Sequence, residues 1–308
     1  MLTEIAKGSA GIALLFIVHW MAVDVLIKFG TDKQKNKHLE DLLSGKKIAA
    51  FCLTEPQAGS DLTAIETTAT ETKNGWNLNG KKYFCTNGDL ADIYFIACKT
   101  KDGEGNNGMS LFMVENETDG LKVGSQIEKM GCRSSNTTTL LLKDCLIPHE
   151  NIIGEINQGF KIAMYGLTKG RLGMASMGLG IAESAFEVAV EYANKREAFG
   201  KSIGNLYSVQ EMITDMHVKI EASKLLIRKC CNKREQGGNY ATESSVAKIF
   251  VAESVNKVCH NALQILGGHG YVKNNNVERY ARDARLIDIG VGSSEVLKMT
   301  VGNIILSS

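Results

Sequence analysis

The spacing of apolar positions changes twice along this chain. From Thr3 to Gly30 the pattern is helical, apolar on nearly every side between Gly11 and Ile27, and from Lys33 to Leu43 a more polar helical segment follows, closed by Ser44-Gly45. Between Ala49 and about Leu146 the texture is one of short runs, such as Tyr94 to Ile96, Ser110 to Val114 and Thr138 to Leu142. Asn-Gly pairs punctuate it at Asn74-Gly75, Asn79-Gly80, Asn87-Gly88 and Asn107-Gly108. Both residues tolerate positive φ, so these pairs predict hairpins in an antiparallel β domain. After Pro148 helical spacing returns over Phe160 to Asn194, Tyr207 to Glu235 and Thr242 to Leu266, with a last helix from Ser294 to Ile305. Long helices with short connections pack most simply as an antiparallel bundle. The expected fold class is therefore α+β, mainly α, with a helical segment (1–48), a central antiparallel β domain (49–148) and a C-terminal long-helix bundle (149–308).

Composition narrows the picture only slightly. With 44% hydrophobic and 22% charged residues in 308, the chain is globular and long enough for a large core. Lysine plus arginine (35) nearly cancels aspartate plus glutamate (34), so no overall field draws it to nucleic acid or an anionic membrane. Eight cysteines without a CxxC pair, and no secretory leader, suggest reduced thiols and a cytoplasmic location. The six histidines lack metal-ligand spacing, and His260 reads as a core residue. The apolar stretch from Gly11 to Ile27 is interrupted by His19 and Asp24 and is short for a bilayer span of about 20 residues, so a buried helix is expected rather than membrane insertion. It starts almost at Met1, which points to cover from a partner subunit or to a piece of a larger domain.

Four stretches offer chemistry. FCLTEPQAGSDL, from Phe51 to Leu62, can present several backbone N–H groups and the hydroxyls of Thr54 and Ser60 to one ligand, or be a plain surface loop. KKYFCTNG, from Lys81 to Gly88, sets an aromatic and a threonine before a turn. KREAFGKSIG, from Lys195 to Gly204, places a basic cluster around Phe199 between long helices, suited to a phosphate and a ring or simply to solvent. LQILGGHGY, from Leu263 to Tyr271, ends a helix on Gly267-Gly268 in the manner of a C-terminal cap. A fifth feature is odder: Gly290 and Gly292 flank Val291, so a sharp turn presents a valine to whatever lies beside it.

Taken in order, LTEPQAGSD, TNG, KGRLG, KREAFGKSI, LQILGGHGY, VERYARDAR and GSSEV resemble the acyl-CoA dehydrogenase family of FAD flavoproteins over practically the whole chain. The resemblance implies that Leu53, Thr54, Gly59, Phe84 and Thr86 neighbour the flavin ring. It implies that Arg196 and Phe199 reach the FAD of an adjacent subunit, with Gln264 and Gly268 on the same cofactor and Ser293 and Glu295 after the flavin-side turn. Ser60 and Arg171 would meet the thioester substrate, and the Gly11–Ile27 helix would line the acyl pocket. FAD is the implied cofactor. The implied partners are acyl-CoA or an acyl-carrier protein, electron-transfer flavoprotein or another acceptor, and further copies of the chain as a homodimer or homotetramer. The family's earliest helices are expected to be missing.

The family's usual base, a glutamate, falls at Val291, and the alternative base position before the channel arginine is Gly170. Valine accepts no proton. The resemblance thus implies oxidation of an acyl thioester with a non-standard or relocated base, for which Asp24 on the apolar helix is the candidate. Oxidation of a carrier-bound hydroxy or aldehyde intermediate and a catalytically silent scaffold are the alternatives. Tyr207 and Thr168 also depart from the family, at positions tied to the neighbouring FAD and to the CoA end.

Overall fold

The structure, a computed structural model, describes residues 1–100 and 108–307. Its helices and strands divide between two compact units, Leu15–Glu128 with Ser135–Gly170, and Met1–Leu14 with Lys129–Ser134 and Arg171–Ser308.

The first of these is built on an eight-stranded sheet. Strands β1 (Ala49–Cys52), β2 (Thr68–Thr72), β3 (Gly75–Thr86), β4 (Ile93–Thr100), β5 (Met109–Glu115), β6 (Leu121–Val123), β7 (Thr137–Ile147) and β8 (Ile152–Ile153) run in the order β6-β7-β3-β2-β4-β5-β8, with β1 also paired to β4. The pairs β2·β3, β3·β7, β4·β5, β5·β8 and β6·β7 are antiparallel, whereas β4 runs parallel to β1 and β2. Alternating positions on these strands close a core around Trp76, Leu78, Tyr94, Ile96, Phe112, Leu140 and Leu142.

Only one of the three fully described Asn-Gly pairs makes a hairpin. Asn74-Gly75 joins β2 to β3. Asn79-Gly80 lies inside β3, where the register to β7 shifts between Leu78 and Gly80. Gly80 has φ 152°, and a Cβ there would stand 2.6 Å from the Cα of Thr67, so the glycine serves a bulge and a close approach. Asn87-Gly88 ends β3 without folding it onto the next strand, because Asn87 turns in its left-handed conformation and donates its amide to the carbonyls of Leu15 and Ala49. Asn107 lies outside the described residues.

The expected first helix is two: α1 (Leu2–Gly8) and α2 (Ala10–Phe29), parted at the extended Ser9. Helix α2 is the one described helix long and apolar enough to cross a membrane by length and composition, and 61% of its most apolar window is buried within the protein. His19 explains one of its polar interruptions. The Ala49 N–H donates to its Nδ1 (3.1 Å), which leaves the Nε2 proton for the Leu42 carbonyl (3.0 Å). Burial favours this neutral ring. Helix α3 (Asp32–Leu43) starts on a capping box in which Thr31 and Gln34 exchange backbone and side-chain bonds.

The second unit is helical. Helix α4 (Gly159–Lys195) continues into it from the other, and α5 (Tyr207–Glu235), α6 (Ala241–Leu266), the short α7 (Gly268–Tyr271), α8 (Val277–Ile289) and α9 (Ser294–Ser307) complete it. Helix α6 is its centre, burying Val251, Ala252, Val255, Val258 and Ala262 at three- and four-residue intervals. Helix α8 is an addition to the four helices that spacing predicts after Pro148. Its Asp283 accepts the Cys132 N–H (2.5 Å) and its Arg282 donates to the Met130 carbonyl (2.9 Å), tying the 129–134 segment to this unit.

Candidate active site

Leu53, Thr54, Gly59 and Ser60 lie on the loop that leaves β1, beside Phe84 and Thr86 at the end of β3. Two contacts hold these stretches together. The Tyr83 N–H donates to the Thr54 carbonyl at 2.8 Å. Beneath the loop, Lys82 is fully buried and donates to the Glu55 carboxylate (2.7 Å) and the Leu53 carbonyl (3.1 Å). Glu55 also accepts from the backbone N–H groups of Glu66 (2.6 Å) and Thr67 (3.0 Å) and from the Gln57 amide (2.8 Å). Burial would raise the Glu55 carboxyl, but the Lys82 charge and these hydrogen bonds prevail and hold it down to about 2. The loop is thus pinned from below by a satisfied, internally neutral pair.

Its upper surface is open. The register of β3 slips between Lys82 and Cys85, Phe84 takes φ 54°, and its ring is 57% exposed. A Cβ added at Gly59 would meet nothing within 4 Å. The hydroxyls of Thr54, Ser60 and Thr86 have no hydrogen-bond partner among the described residues.

Asp24 does not stand alone in an apolar wall. It is ion-paired with Lys169, both side chains being about one-fifth exposed (19% and 18%). To act as a base it would have to leave that ammonium, an obstacle that sequence spacing did not reveal. Thr168, beside Lys169, bonds back to the Met164 carbonyl (2.8 Å).

In the helical unit the Gly290-Val291-Gly292 turn joins α8 to α9. Val291 sits at φ 57° and Gly292 at φ 94°. A β-branched residue in the left-handed region is strained by about 1–2 kcal/mol, so the surrounding structure imposes this conformation. The device that imposes it is Lys248 of α6, fully buried, whose ammonium donates to the carbonyls of Gly292 (2.8 Å) and Asp288 (3.1 Å). Burial pushes the Lys248 ammonium down to about 8, against the favourable charge of Asp288. Asp288 is itself held by Arg285, Asn256 (2.9 Å) and Ser294 (3.0 Å). Arg171 of α4 lies nearby, 3.9 Å from where a Gly292 Cβ would be. Ser293 caps α9 by accepting the Val296 N–H (3.3 Å), and the exposed Glu295 carboxyl is lowered by its own backbone N–H and by Ser293.

The other predicted residues lie on two further elements of this unit. KREAFGKSIG is a β-hairpin, β9 (Glu197–Ala198) against β10 (Lys201–Ser202), with Phe199 (φ 54°) and Gly200 (φ 77°) at its tip. Two successive positive φ values are those of a type I′ turn. Phe199 is 90% exposed, and Arg196 is exposed, its side chain without a hydrogen-bond partner among the described residues. Gln264 lines a groove of about 230 Å³ with His260, Leu263, Gly267 and Tyr271, and Gly268 adjoins it. The Tyr192 ring, at the end of α4, is 5.9 Å from that of His269, bringing the groove and the hairpin to neighbouring elements.

Sequence reasoning missed Lys82 and Lys248. A signal existed for both: in SSVAKIFVAES the lysine falls on the same helical face as buried Ser244, Val251 and Ala252, and in KKYFCT strand alternation turns one of two adjacent lysines inward.

Comparison with known proteins gives one answer over the whole length. Profiles of the N-terminal, middle and C-terminal domains of acyl-CoA dehydrogenase match residues 1–46, 50–145 and 157–306. The short-chain-specific acyl-CoA dehydrogenase of Megasphaera elsdenii is 39% identical over 305 residues, 98% of this chain and 80% of that protein. Subunit CarC of the caffeyl-CoA reductase-Etf complex of Acetobacterium woodii is 38% identical over 305 residues, with the same coverage of 98% and 80%. The solved structure of PigA with FAD and proline superposes with a TM-score of 0.95 at 31% identity, over 99% of this chain and 80% of that one.

Proposed function

The chain belongs to the acyl-CoA dehydrogenase family, and from that premise we propose that it oxidises a short-chain acyl thioester with FAD and without a base at residue 291. It is a flavin oxidoreductase of the acyl-CoA dehydrogenase type, and FAD is its cofactor. The finer reading rests chiefly on Val291, an apolar side chain held in a strained turn that the buried Lys248 keeps in place.

The residues fit the group. Thr54, Ser60 and Thr86 offer hydroxyls that no described residue uses, Gly59 leaves room beside the backbone, and Phe84 offers an exposed aromatic face. We assign Leu53, Thr54, Gly59, Phe84 and Thr86 to the flavin ring, and Arg196, Phe199, Gln264, Gly268, Ser293 and Glu295 to further cofactor contacts. Ser60 and Arg171 are assigned to the substrate. When bound, FAD supplies a two-electron acceptor for a hydride from the substrate. The protein must then hold the thioester in register and provide for the proton at Cα. Val291 cannot take that proton. Asp24 is the substitute available in this reading, once released from Lys169.

The same turn favours a second reading, oxidation of a carrier-bound hydroxy or aldehyde intermediate, because such a step dispenses with the base at 291. A silent scaffold is the third. The domain division 1–48, 49–148 and 149–308, a homodimer or homotetramer, an acyl-carrier protein as alternative substrate carrier, electron-transfer flavoprotein as acceptor and a cytoplasmic location complete the proposal. The exposed rings of Phe199 and Tyr271 support oligomerisation.

Purified protein should be yellow or take up added FAD, and a short-chain acyl-CoA with an artificial electron acceptor should give turnover that falls in Asp24→Asn. Protein that neither carries nor takes up FAD overturns the enzyme reading. Turnover left untouched in Asp24→Asn overturns the relocated base alone.

A further inference from the structure

The Lys82–Glu55 pair is not explained by stability alone. Both side chains are out of water, at 0% and 2% exposure. Desolvating two charges offsets most of what their attraction returns, and a well-packed apolar pair of similar volume is often as stable. Such a pair would differ in one respect, because it could not hold a carbonyl. Lys82 donates to the Glu55 carboxylate (2.7 Å) and to the Leu53 carbonyl (3.1 Å), and so fixes the backbone on both sides of Thr54.

The consequence falls on Thr54. The Leu53–Thr54 peptide is trans, so its C=O and N–H point in opposite directions. With the carbonyl drawn inward to a buried ammonium, the Thr54 N–H is turned outward. Burial agrees with this, since Thr54 is half-buried between the buried Leu53 and Glu55. No described residue accepts from that N–H. The adjoining backbone groups are already used: the Thr54 carbonyl accepts the Tyr83 N–H (2.8 Å), and the Glu55 N–H donates to the Ala58 carbonyl (2.9 Å). On β3, Lys82 stands directly before the register shift at which Phe84 takes φ 54° and exposes its ring. One buried ammonium thus lies behind an outward donor and beside an outward aromatic face.

We propose that Lys82 is a positioning residue for the flavin: by holding the Leu53 carbonyl beneath the loop, it keeps the Thr54 N–H as a preformed donor to the carbonyl edge of the ring. This rests on the flavin assignment of Thr54 and Phe84 above and adds the residue that makes the donor rigid. A donor aimed at that edge stabilises the negative charge that the ring gains on reduction, and a preformed one needs no reorganisation on binding.

The test compares flavin-loaded wild type with Lys82→Met, the double variant Lys82→Met/Glu55→Gln, and Leu142→Ala. Three quantities are read: the rate of FAD release on dilution, followed by flavin fluorescence, the midpoint potential of the bound flavin, and the free energy of unfolding. Lys82→Met should release FAD at least about tenfold faster, as expected for one lost hydrogen bond, and should lower the potential. The double variant strands no charge in the core and still frees the Leu53 carbonyl, so it carries the test if Lys82→Met folds poorly. It should keep the faster release and the lowered potential while regaining stability. Leu142→Ala, which opens a cavity in the core of the same sheet, should lose stability and keep both flavin properties. Wild-type release and potential in the double variant would overturn the proposal, since any effect of Lys82→Met would then come from its stranded carboxylate. The same changes in Leu142→Ala would overturn it as well, because they would follow from lost stability. Either result leaves the flavin reading standing. A wild type that neither carries nor takes up FAD overturns both.

Discussion

Among the described residues two lysines are fully buried, and each supports a stretch that carries candidate site residues. Lys82 lies under the Leu53–Ser60 loop and faces a buried carboxylate, Glu55, which four donors satisfy. Lys248 lies under the Gly290-Val291-Gly292 turn and is bonded only to carbonyl oxygens, with Arg171 as a second buried cation nearby. The loop is balanced within the protein, whereas the turn carries an excess of buried positive charge. A neutral, rigid support suits a surface that offers hydroxyls and an aromatic face to an uncharged ring.

The comparison breaks most readily at Lys82. Lys82→Met leaves the Glu55 carboxylate buried without its cation and should cost about 3–5 kcal/mol in denaturant unfolding. Lys248→Met removes a cation that has no carboxylate of its own, and it should cost less, about 1–2 kcal/mol for the two carbonyls left short of a donor. Equal losses in the two variants would mean that the lysines are electrostatically equivalent.

The two sites should also answer pH in opposite windows. Glu55 has its folded value lowered to about 2, so its contribution is present above its unfolded value and is lost as pH falls from there toward 2. Lys248 has its folded value lowered to about 8, so between pH 8 and its unfolded value near 10.5 the unfolded chain binds more protons. Stability from this residue therefore rises with pH across that window. Unfolding free energies measured at several pH values should show that rise in wild type and a flatter profile in Lys248→Met. The smallest effect belongs to Val291→Gly, which relieves a left-handed valine and should stabilise by up to about 1 kcal/mol, the gain being reduced by the entropy of the added glycine. A loss of stability there would mean that the valine side chain contributes packing that outweighs its strain.

These differences were only partly legible in the sequence. Tyr207–Glu235 is bounded as spacing predicts, because a long amphipathic period leaves little freedom in where a helix must end. Helix α8 was hidden by its charges: Val277, Tyr280, Ala284 and Ile287 form a buried stripe, but five ionisable residues lie between them and mask it. Asn79-Gly80 carries the same local signal as Asn74-Gly75, and only the approach of Thr67 makes one a bulge and the other a turn. Candidate site residues could be proposed one by one from their motifs. Their electrostatics could not, since spacing hints that Lys82 and Lys248 point inward but does not name the groups that each ammonium meets. Asp24 shows the converse, a carboxylate that looks isolated among apolar neighbours until Lys169, 145 positions later, is folded against it.

The central claim is that this family member handles acyl thioesters with its flavin while the turn at 291 carries no base. Anaerobic mixing of FAD-loaded wild type and Val291→Glu with butyryl-CoA, following loss of the oxidised-flavin absorbance, tests it most directly. Slow reduction in wild type and reduction faster by about two to four powers of ten in Val291→Glu is the predicted result. Equal rates in the two proteins, or a flavin that butyryl-CoA reduces in neither, would contradict it.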